Sequence, residues 1–511
     1  MTFPPLGVHV QIAMRSLLLS SVSGTVLFLA GCAVGPDFER PAAPVVSGYT
    51  AEALPVATAS GSEEIPGGDA QTFVEGADIP AQWWTLFQSP AINDIVTQAL
   101  EANPDLEAAE AALNQVRENY LASQGSLFPA IDAGGSAQRQ QTSPQSTDSL
   151  LNLYNASVGV SYLLDVFGGN RRAIEASGAQ AENQRYQLEA TYVTLISNVL
   201  TAAIQEASLT AQIEAVEEII AVQTQALDLA DQQFELGAIA RGDVLAQQSE
   251  LTQTQATLPN LQKQLAQIRT QLSVLLGRYP SEGTVPGVTL ADLTLPQELP
   301  ISLPSELVNQ RPDVRAAEAI LHQASANIGV ATANMLPQIN LSGSYGTGTN
   351  SAPGSANLFS AETMGWSLAG SLTAPLFRGG QLSHQRQAAL YAYDRAEAQY
   401  RSTVLAAFAN VANVLNALIY DAEALRAQEL AEETASQSLD ITTERFRAGA
   451  IAYLALLDAQ RTYQQARIAL VQSQAARYAD TVALFQALGG GWWNREETNF
   501  ATTRSNPIPI P

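Results

Sequence analysis

One cysteine, one lysine and three histidines occur in 511 residues. The single cysteine, Cys32, excludes an internal disulfide framework and a cysteine-based zinc cluster. His9, His322 and His384 are too few and too dispersed to suggest a metalloenzyme. Lys263 is the sole lysine, so arginine supplies nearly all the 25 basic residues set against 49 acidic ones. A formal charge of −24 argues against nucleic acid as a partner, because phosphate backbones are held by Lys and Arg. The sequence also has no glycine-rich phosphate loop and no histidine beside a candidate nucleophile. It therefore reads as a non-enzyme with no cofactor. His322 reads as a packing or surface residue of a helix, and His384 as a solvated one after Gly379-Gly380. Hydrophobic residues make up 46 %, ordinary for a folded protein, and the length allows two to four domains or one elongated one.

The first 36 residues carry one charge, Arg15. It precedes Leu17-Leu18-Leu19 and the short apolar stretch Val26–Ala30, too short and too Ser-rich for a membrane-spanning helix. Met14 offers an alternative start. Leu29-Ala30-Gly31-Cys32 matches the bacterial lipobox. Residues 1–31 are thus expected to be a lipoprotein signal peptide, with Cys32 carrying diacylglycerol and an N-acyl chain that hold it to outer-membrane lipid. Ala33 follows where an Asp would signal retention at the inner membrane.

A segment from the first part of the chain returns in the second. Asn103-Pro104-Asp105-Leu106-Glu107-Ala108-Ala109-Glu110 is answered by Arg311-Pro312-Asp313-Val314-Arg315-Ala316-Ala317-Glu318. Phe167-Gly168-Gly169 is answered by Phe377-Arg378-Gly379-Gly380. The stretch from Phe234 through Gly237 to Ala240 is answered by that from Phe446 through Gly449 to Ala452. Matched Pro, Gly and Phe in one order describe a tandem structural repeat. The expected division is a signal peptide (1–31), a lipidated N-terminal equatorial segment (32–90), repeat 1 (91–290), repeat 2 (291–489) and a C-terminal equatorial tail (490–511).

Each repeat predicts three kinds of element. A medium helix spans Ala91–Gln124 or Pro312–Asn334, with Pro-Asp near its start. Strand-like stretches follow: Val158, Val160, Tyr162, Leu164 and Val166 alternate with Gly159, Ser161, Leu163 and Asp165, and Trp366, Leu368, Gly370, Leu372, Ala374 and Leu376 alternate with Ser367, Ala369, Ser371, Thr373 and Pro375. Their partners are Ile131–Gln141 and Ile339–Asn350, joined by Ser- and Asn-rich loops. Last comes a long helical hairpin. Asn170–Phe234 and Gly380–Phe446 contain no proline, and a helix of that length measures roughly 100 Å. The returning helices carry Leu258, Leu261, Leu265, Ile268, Leu272 and Leu275, and Ile468, Val471, Ala475, Tyr478, Val482 and Phe485. This 3.5-residue period is that of supercoiled packing. Pro259 is expected to bend the first of them.

Four strands cannot close a barrel around a lumen, and an open edge cannot be satisfied in lipid. If these strands enter a membrane, several chains must share one barrel, as a cyclic homo-oligomer.

With these residues the sequence resembles the outer-membrane efflux protein family (TolC/OprM-like), in its lipoprotein, NodT-like branch of RND-type tripartite systems. Further matching pieces are Gly35-Pro36-Asp37-Phe38, Trp83-Trp84 with Phe87, Pro375-Leu376-Phe377, Leu456-Leu457-Asp458-Ala459-Gln460-Arg461 and Ala487-Leu488-Gly489-Gly490-Gly491-Trp492. The resemblance implies an α+β membrane protein. A long antiparallel α-helical coiled-coil barrel would join a 12-stranded β-barrel, to which each protomer of a homotrimer gives four transmembrane strands. It implies an equatorial belt from 42–88, 278–305 and 490–511. It implies, as partners, a periplasmic membrane-fusion adaptor and an inner-membrane RND-type pump. The expected role is a passive exit duct, anchored in the outer membrane and extending into the periplasm, for drugs or other small molecules.

The hairpin tips, 234–243 and 446–453, are where such a duct should constrict. Leu454, Asp458 and Arg461 follow the second tip on one helical face, and by resemblance they match the family's periplasmic gate. Gly242, Ala246 and Ser249 stand at the equivalent places of the first repeat, so gate chemistry is expected on the second hairpin alone. Phe234, Gly237, Phe446 and Gly449 mark the expected adaptor contact. The net charge favours passage of cations. Two other readings remain open: a duct dedicated to one exported protein, and a lipid-anchored periplasmic coiled-coil scaffold, which leaves the alternating strands unexplained.

Overall fold

A computed structural model describes residues 33–62, 64–142, 149–283, 287–351 and 363–495. Cys32, the expected signal peptide, both expected strand loops at their centres and the end of the expected C-terminal tail lie outside the described residues. The chain divides into two compact units, taken separately below. One comprises the described parts of Met1–Pro41, Leu113–Gln184 and Ala317–Tyr400, the other those of Ala42–Ala112, Arg185–Ala316 and Arg401–Pro511.

The helices are α1 (Pro90–Ala102), α2 (Pro104–Gln124), α3 (Gly169–Glu235), α4 (Arg241–Leu275), α5 (Pro304–Gln310), α6 (Pro312–Ala333), α7 (Gln381–Arg447) and α8 (Tyr453–Ala487). The strands are β1 (Thr72–Glu75), β2 (Ala130–Thr142), β3 (Ser149–Leu164), β4 (Glu298–Ile301), β5 (Gln338–Ser351) and β6 (Met364–Thr373). A medium helix, two strands, a 67-residue helix and a 35-residue helix follow one another twice. The proline-free segments form α3 and α7 without a break, as expected where every residue can donate its i→i−4 bond. Pro259 sits inside α4, and α4 continues past it.

The medium helix differs from expectation in the first repeat. Ala91–Gln124 is two helices, because Pro104 starts a new one at its first position and Asn103 caps it. The Asn103 Oδ1 accepts from the amides of Asp105 and Leu106 at 2.9 and 3.2 Å. Asn103 also donates through Nδ2 to the carbonyl of Leu275, at the end of α4, at 2.9 Å. Its counterpart Arg311 stands between α5 and α6 and donates through Nη1 to the carbonyl of Ala487, at the end of α8, at 2.7 Å. Two different side chains thus serve the same backbone need, the orphan carbonyls of a long helix.

In the first unit, β2, β3, β5 and β6 form one antiparallel sheet in that order. Its register lines up apolar rows across the strands: Ala133, Val158, Tyr345 and Trp366 in one, Ile131, Val160, Gly343 and Leu368 in the next. The alternate rows are small and polar, among them Asp132, Gly159, Ser344 and Ser367, with the last two hydroxyls 2.9 Å apart. Trp366, Leu368 and Leu372 are 79 %, 78 % and 68 % exposed. A soluble sheet covers its apolar face with a second layer; this one leaves it bare, and β2 and β6 are unpaired on their outer sides among the described residues.

The second unit packs around α8. Val471, Tyr478, Val482 and Phe485 of the predicted seam are buried, and Ile468 and Ala475 half-buried. On α4 the seam is buried at Ile268 and Leu272 and half-buried at Leu258, Leu261, Leu265 and Leu275. Trp83 is fully buried, its ring stacked on Phe485 with centroids 4.9 Å apart. The parallel pair β1 and β4 joins the N-terminal segment to the inter-repeat linker. Arg477 on α8 is wholly buried and donates to the carbonyls of Leu418, Asp69 and Gly67 and to the Thr58 hydroxyl. Gln71 donates to Thr481 at 3.0 Å and to the carbonyl of Pro296 at 2.9 Å. Segments far apart in sequence are therefore stitched to one face of one helix.

Candidate gate at the hairpin tips

Both hairpins turn by the same device. After α3, the Gly237 amide donates to Phe234 O at 2.8 Å and the Ala238 amide to Gln233 O at 2.8 Å; after α7, Gly449 donates to Phe446 O and Ala450 to Arg445 O, each at 2.9 Å. Gly237 and Gly449 have φ of 72° and 71°, the left-handed region that stops a helix at little cost only for glycine.

The side chains around the two turns differ. Phe446 is buried and meets Tyr453 edge-on, with centroids 5.3 Å apart; Leu456 and Leu457 complete the cluster, joined by Ala246 of α4. Phe234 is partly exposed, with the Arg241 guanidinium 5.5 Å from its ring centre. Tyr453 lies in the second cluster, and its hydroxyl has no hydrogen-bond partner among the described residues. Burial, and then the nearby carboxylates Asp243 and Glu250, hold its pKa well above the ordinary tyrosine range.

The packing turns Leu454, Asp458 and Arg461 away from this cluster. All three are exposed, Leu454 at 74 %, while Tyr453, Leu456, Leu457 and Gln460 fill the opposite face of α8. Leu454, Asp458 and Arg461 thus share the exposed side of α8, from which Arg461 alone of the three reaches across to α4.

Arg461 bonds to Glu250 on α4, its Nε 2.6 Å from Oε2, with Nη2 on the same oxygen. Glu250 is buried, and its carboxylate raises the Arg461 pKa above the ordinary guanidinium value, through the hydrogen bond first and the charge second. Asp458 forms no ion pair with Arg461 among the described residues. The carboxylate that meets Arg461 thus comes from the first hairpin, which offers Gly242, Ala246 and Ser249 at the places equivalent to Leu454, Asp458 and Arg461. The repeat alignment hid Glu250, because it looks for equivalents of Asp458 and finds Ala246. A legible signal existed. The 3.5-residue seam of α4 extends back through Thr254, Leu251, Gln247 and Val244, all buried, and Glu250 is one of two acids in that helix.

The described residues hold no group of three or more His, Cys, Asp or Glu side chains placed to bind a metal. His322 lies on α6, 2.9 Å from a Glu175 oxygen and stacked on Phe38.

The family model for outer membrane efflux proteins matches residues 95–278 and again 303–490. The chain belongs to the outer membrane efflux protein family. It is 29 % identical over 501 residues to a Pseudomonas putida protein named probable efflux pump outer membrane protein TtgC, covering 96 % of this chain and 98 % of that one. It is 30 % identical over 420 residues to the pyoverdine export outer membrane protein OpmQ of Pseudomonas aeruginosa, covering 80 % and 87 %. The solved structure of the outer-membrane channel OprN superposes with a TM-score of 0.80 at 28 % identity, covering 90 % of this chain and all of that one. As a member of this family the protein is an outer-membrane efflux channel, and the uncovered apolar sheet face is the surface such a location calls for.

Proposed function

We propose that three copies of the chain share one 12-stranded β-barrel and one α-helical barrel, and that this homotrimer is the passive exit duct of a tripartite efflux pump. The observation that carries the reading is the open four-stranded sheet with its bare apolar face. Its free edges, on β2 and β6, need partners in lipid, and other copies of the same chain supply them by symmetry. The two occurrences of one element order are then two copies of one repeat, within the boundaries 91–290 and 291–489. The segments before, between and after them form an equatorial belt.

Leu454, Asp458 and Arg461 would form rings at the periplasmic end, with Glu250 as the fixed partner of Arg461. A Leu ring is an apolar plug and an Asp ring attracts cations. The tips around Phe234, Gly237, Phe446 and Gly449 would meet a periplasmic membrane-fusion adaptor, which links the duct to an inner-membrane RND-type pump. Cys32 would carry the acyl chains that anchor each copy in the outer membrane. The cargo is small molecules, a reading supported by the pyoverdine export named for OpmQ. No catalytic step is assigned to any residue.

The test is the oligomer. Protein extracted from outer membranes should run as a trimer when unheated and as a monomer after boiling, and should conduct ions in planar bilayers. A monomeric, non-conducting protein released by removing the acyl chains would refute the duct.

A further inference from the structure

The segment directly after Cys32 is seated in a built site of the first unit. The Val34 amide donates to Phe167 O at 3.0 Å, where β3 passes into α3. Arg172, in the first turn of α3, is 5 % exposed. Its guanidinium reaches Val34 O at 3.2 Å, Gly35 O at 3.4 Å, Asp37 Oδ1 at 2.6 Å and Glu175 Oε2 at 2.7 Å. Three of those four acceptors belong to the segment. Glu175 continues the network to His322 of α6, whose ring stacks on Phe38 at 4.4 Å. Phe38 packs in turn on Leu321 and Ala324 of α6 and Ala396 of α7. The backbone approach is equally close: a Cβ on Gly35 would lie 2.4 Å from the Gly329 Cα, and Gly35 has φ of 95°. Arg40 closes the far end on Glu318, Nε to Oε2 at 3.0 Å.

We propose that residues 33–40 are a clasp that fixes the lipid attachment point at the β3–α3 junction, so that the acyl chains enter the membrane beside the sheet instead of at the end of a flexible tether. A solvated linker needs no buried arginine. Arg172 is removed from water by this segment and gives it three of its four hydrogen bonds, so unseating the segment would forfeit those three and leave Arg172 with Glu175 alone. One peptide bond joins Cys32 to Ala33, the first residue of the clasp. The clasp also ties elements from both halves of the chain, α3 from one and α6 and α7 from the other, without using the hairpin tips.

The proposal rests on lipidation of Cys32, and the experiment separates the two. Lipidation consumes the only thiol, so Glu39→Cys introduces a unique site for a nitroxide label in the full-length protein in membranes. The clasp predicts a strongly immobilised spectrum for that label. Gly35→Val, which alters the segment but none of the helices, should speed the label's motion several-fold, and Asp37→Ala should do so to a lesser degree. Migration as an unheated oligomer is measured alongside, to establish that each variant is folded. A mobile label at position 39 in the otherwise unchanged protein, or an immobile one in folded Gly35→Val, would overturn the clasp. Label uptake by the parent protein at Cys32 would instead show a free thiol and sink the lipidation reading, whatever the clasp does.

Discussion

Arg461 on α8 grips Glu250 on α4, 211 positions away in sequence, with the carboxylate buried and the guanidinium half in solvent. The pair links the returning helices of the two hairpins just above the tips, while Asp458 stands on the exposed face of α8. Removing one member of such a pair is worse than removing a surface ion pair, because it leaves the other buried without a partner.

If the tips gate the duct as proposed, Arg461→Ala should loosen them more than Asp458→Ala does. A stranded buried carboxylate costs about 1–3 kcal/mol, enough to shift a closed–open balance roughly tenfold. Single-channel conductance in planar bilayers should rise in the order wild type, Asp458→Ala, Arg461→Ala. Equal conductance in all three would remove the gate from this face.

The cluster beneath the second tip separates packing from polarity. Tyr453→Phe deletes a buried hydroxyl that has no partner among the described residues, so the tip should hold as well or be up to about 1 kcal/mol more stable. Leu456→Ala opens a cavity and should cost about 2–5 kcal/mol. Amide exchange at Phe446–Leu457 reads both, slowed or unchanged in the first and accelerated in the second. Acceleration by Tyr453→Phe would mean that the hydroxyl is satisfied within the assembly.

Asp480 on α8 faces Asp421 on α7, near Arg477. Burial first, and then the hydrogen bond and charge of Asp421, push the Asp480 carboxyl up to about 8, against the opposing pull of Arg477. The folded state keeps a proton that the unfolded chain has released. This contribution to stability is whole below the usual carboxylate range and is lost as pH rises through about 8. Asp480→Asn keeps a donor toward Asp421 without the ionisation. Its melting temperature should gain on wild type as pH climbs from about 4 to 8, then run parallel. Curves parallel throughout would show that the proton is not held.

Trp366 stands in the exposed apolar row of β6, which the duct reading turns toward lipid. Trp366→Arg should cost about 2–4 kcal/mol of membrane stability if the row lies near the bilayer midplane. Ser367→Arg, on the neighbouring small and polar face, should be tolerated for insertion and alter conductance instead. The proportion of heat-modifiable oligomer in outer membranes distinguishes them, and equal loss in both would mean that the faces are misassigned.

Much of the architecture was legible because it is periodic. A proline-free run of this length has few alternatives to helix, and period-two alternation marked β3 and β6, with Gly- and Ser-rich composition marking their partners β2 and β5. The 3.5-residue stripes of α4 and α8 identified the surfaces that pack, and the duplicated Pro-Asp and Phe-to-Gly landmarks set the order of elements. Local breaks were harder. Asn103 ends one helix and caps the next; the Asn-Pro pair is itself a helix-start signal, but the helical pattern on either side of it masks the break.

The sequence alone determined which residues lie on each helical and strand face, because side-chain direction follows from local dihedral angles. It could not assign partners across the fold. That Arg461 meets Glu250 and not Asp458, that Arg172 is spent on the segment after Cys32, and that Arg477 is satisfied by carbonyls from the N-terminal segment depends on which helices lie side by side. Charged groups find partners by proximity in space, and proximity between residues some 140 to 420 positions apart is decided only when the hairpins pack.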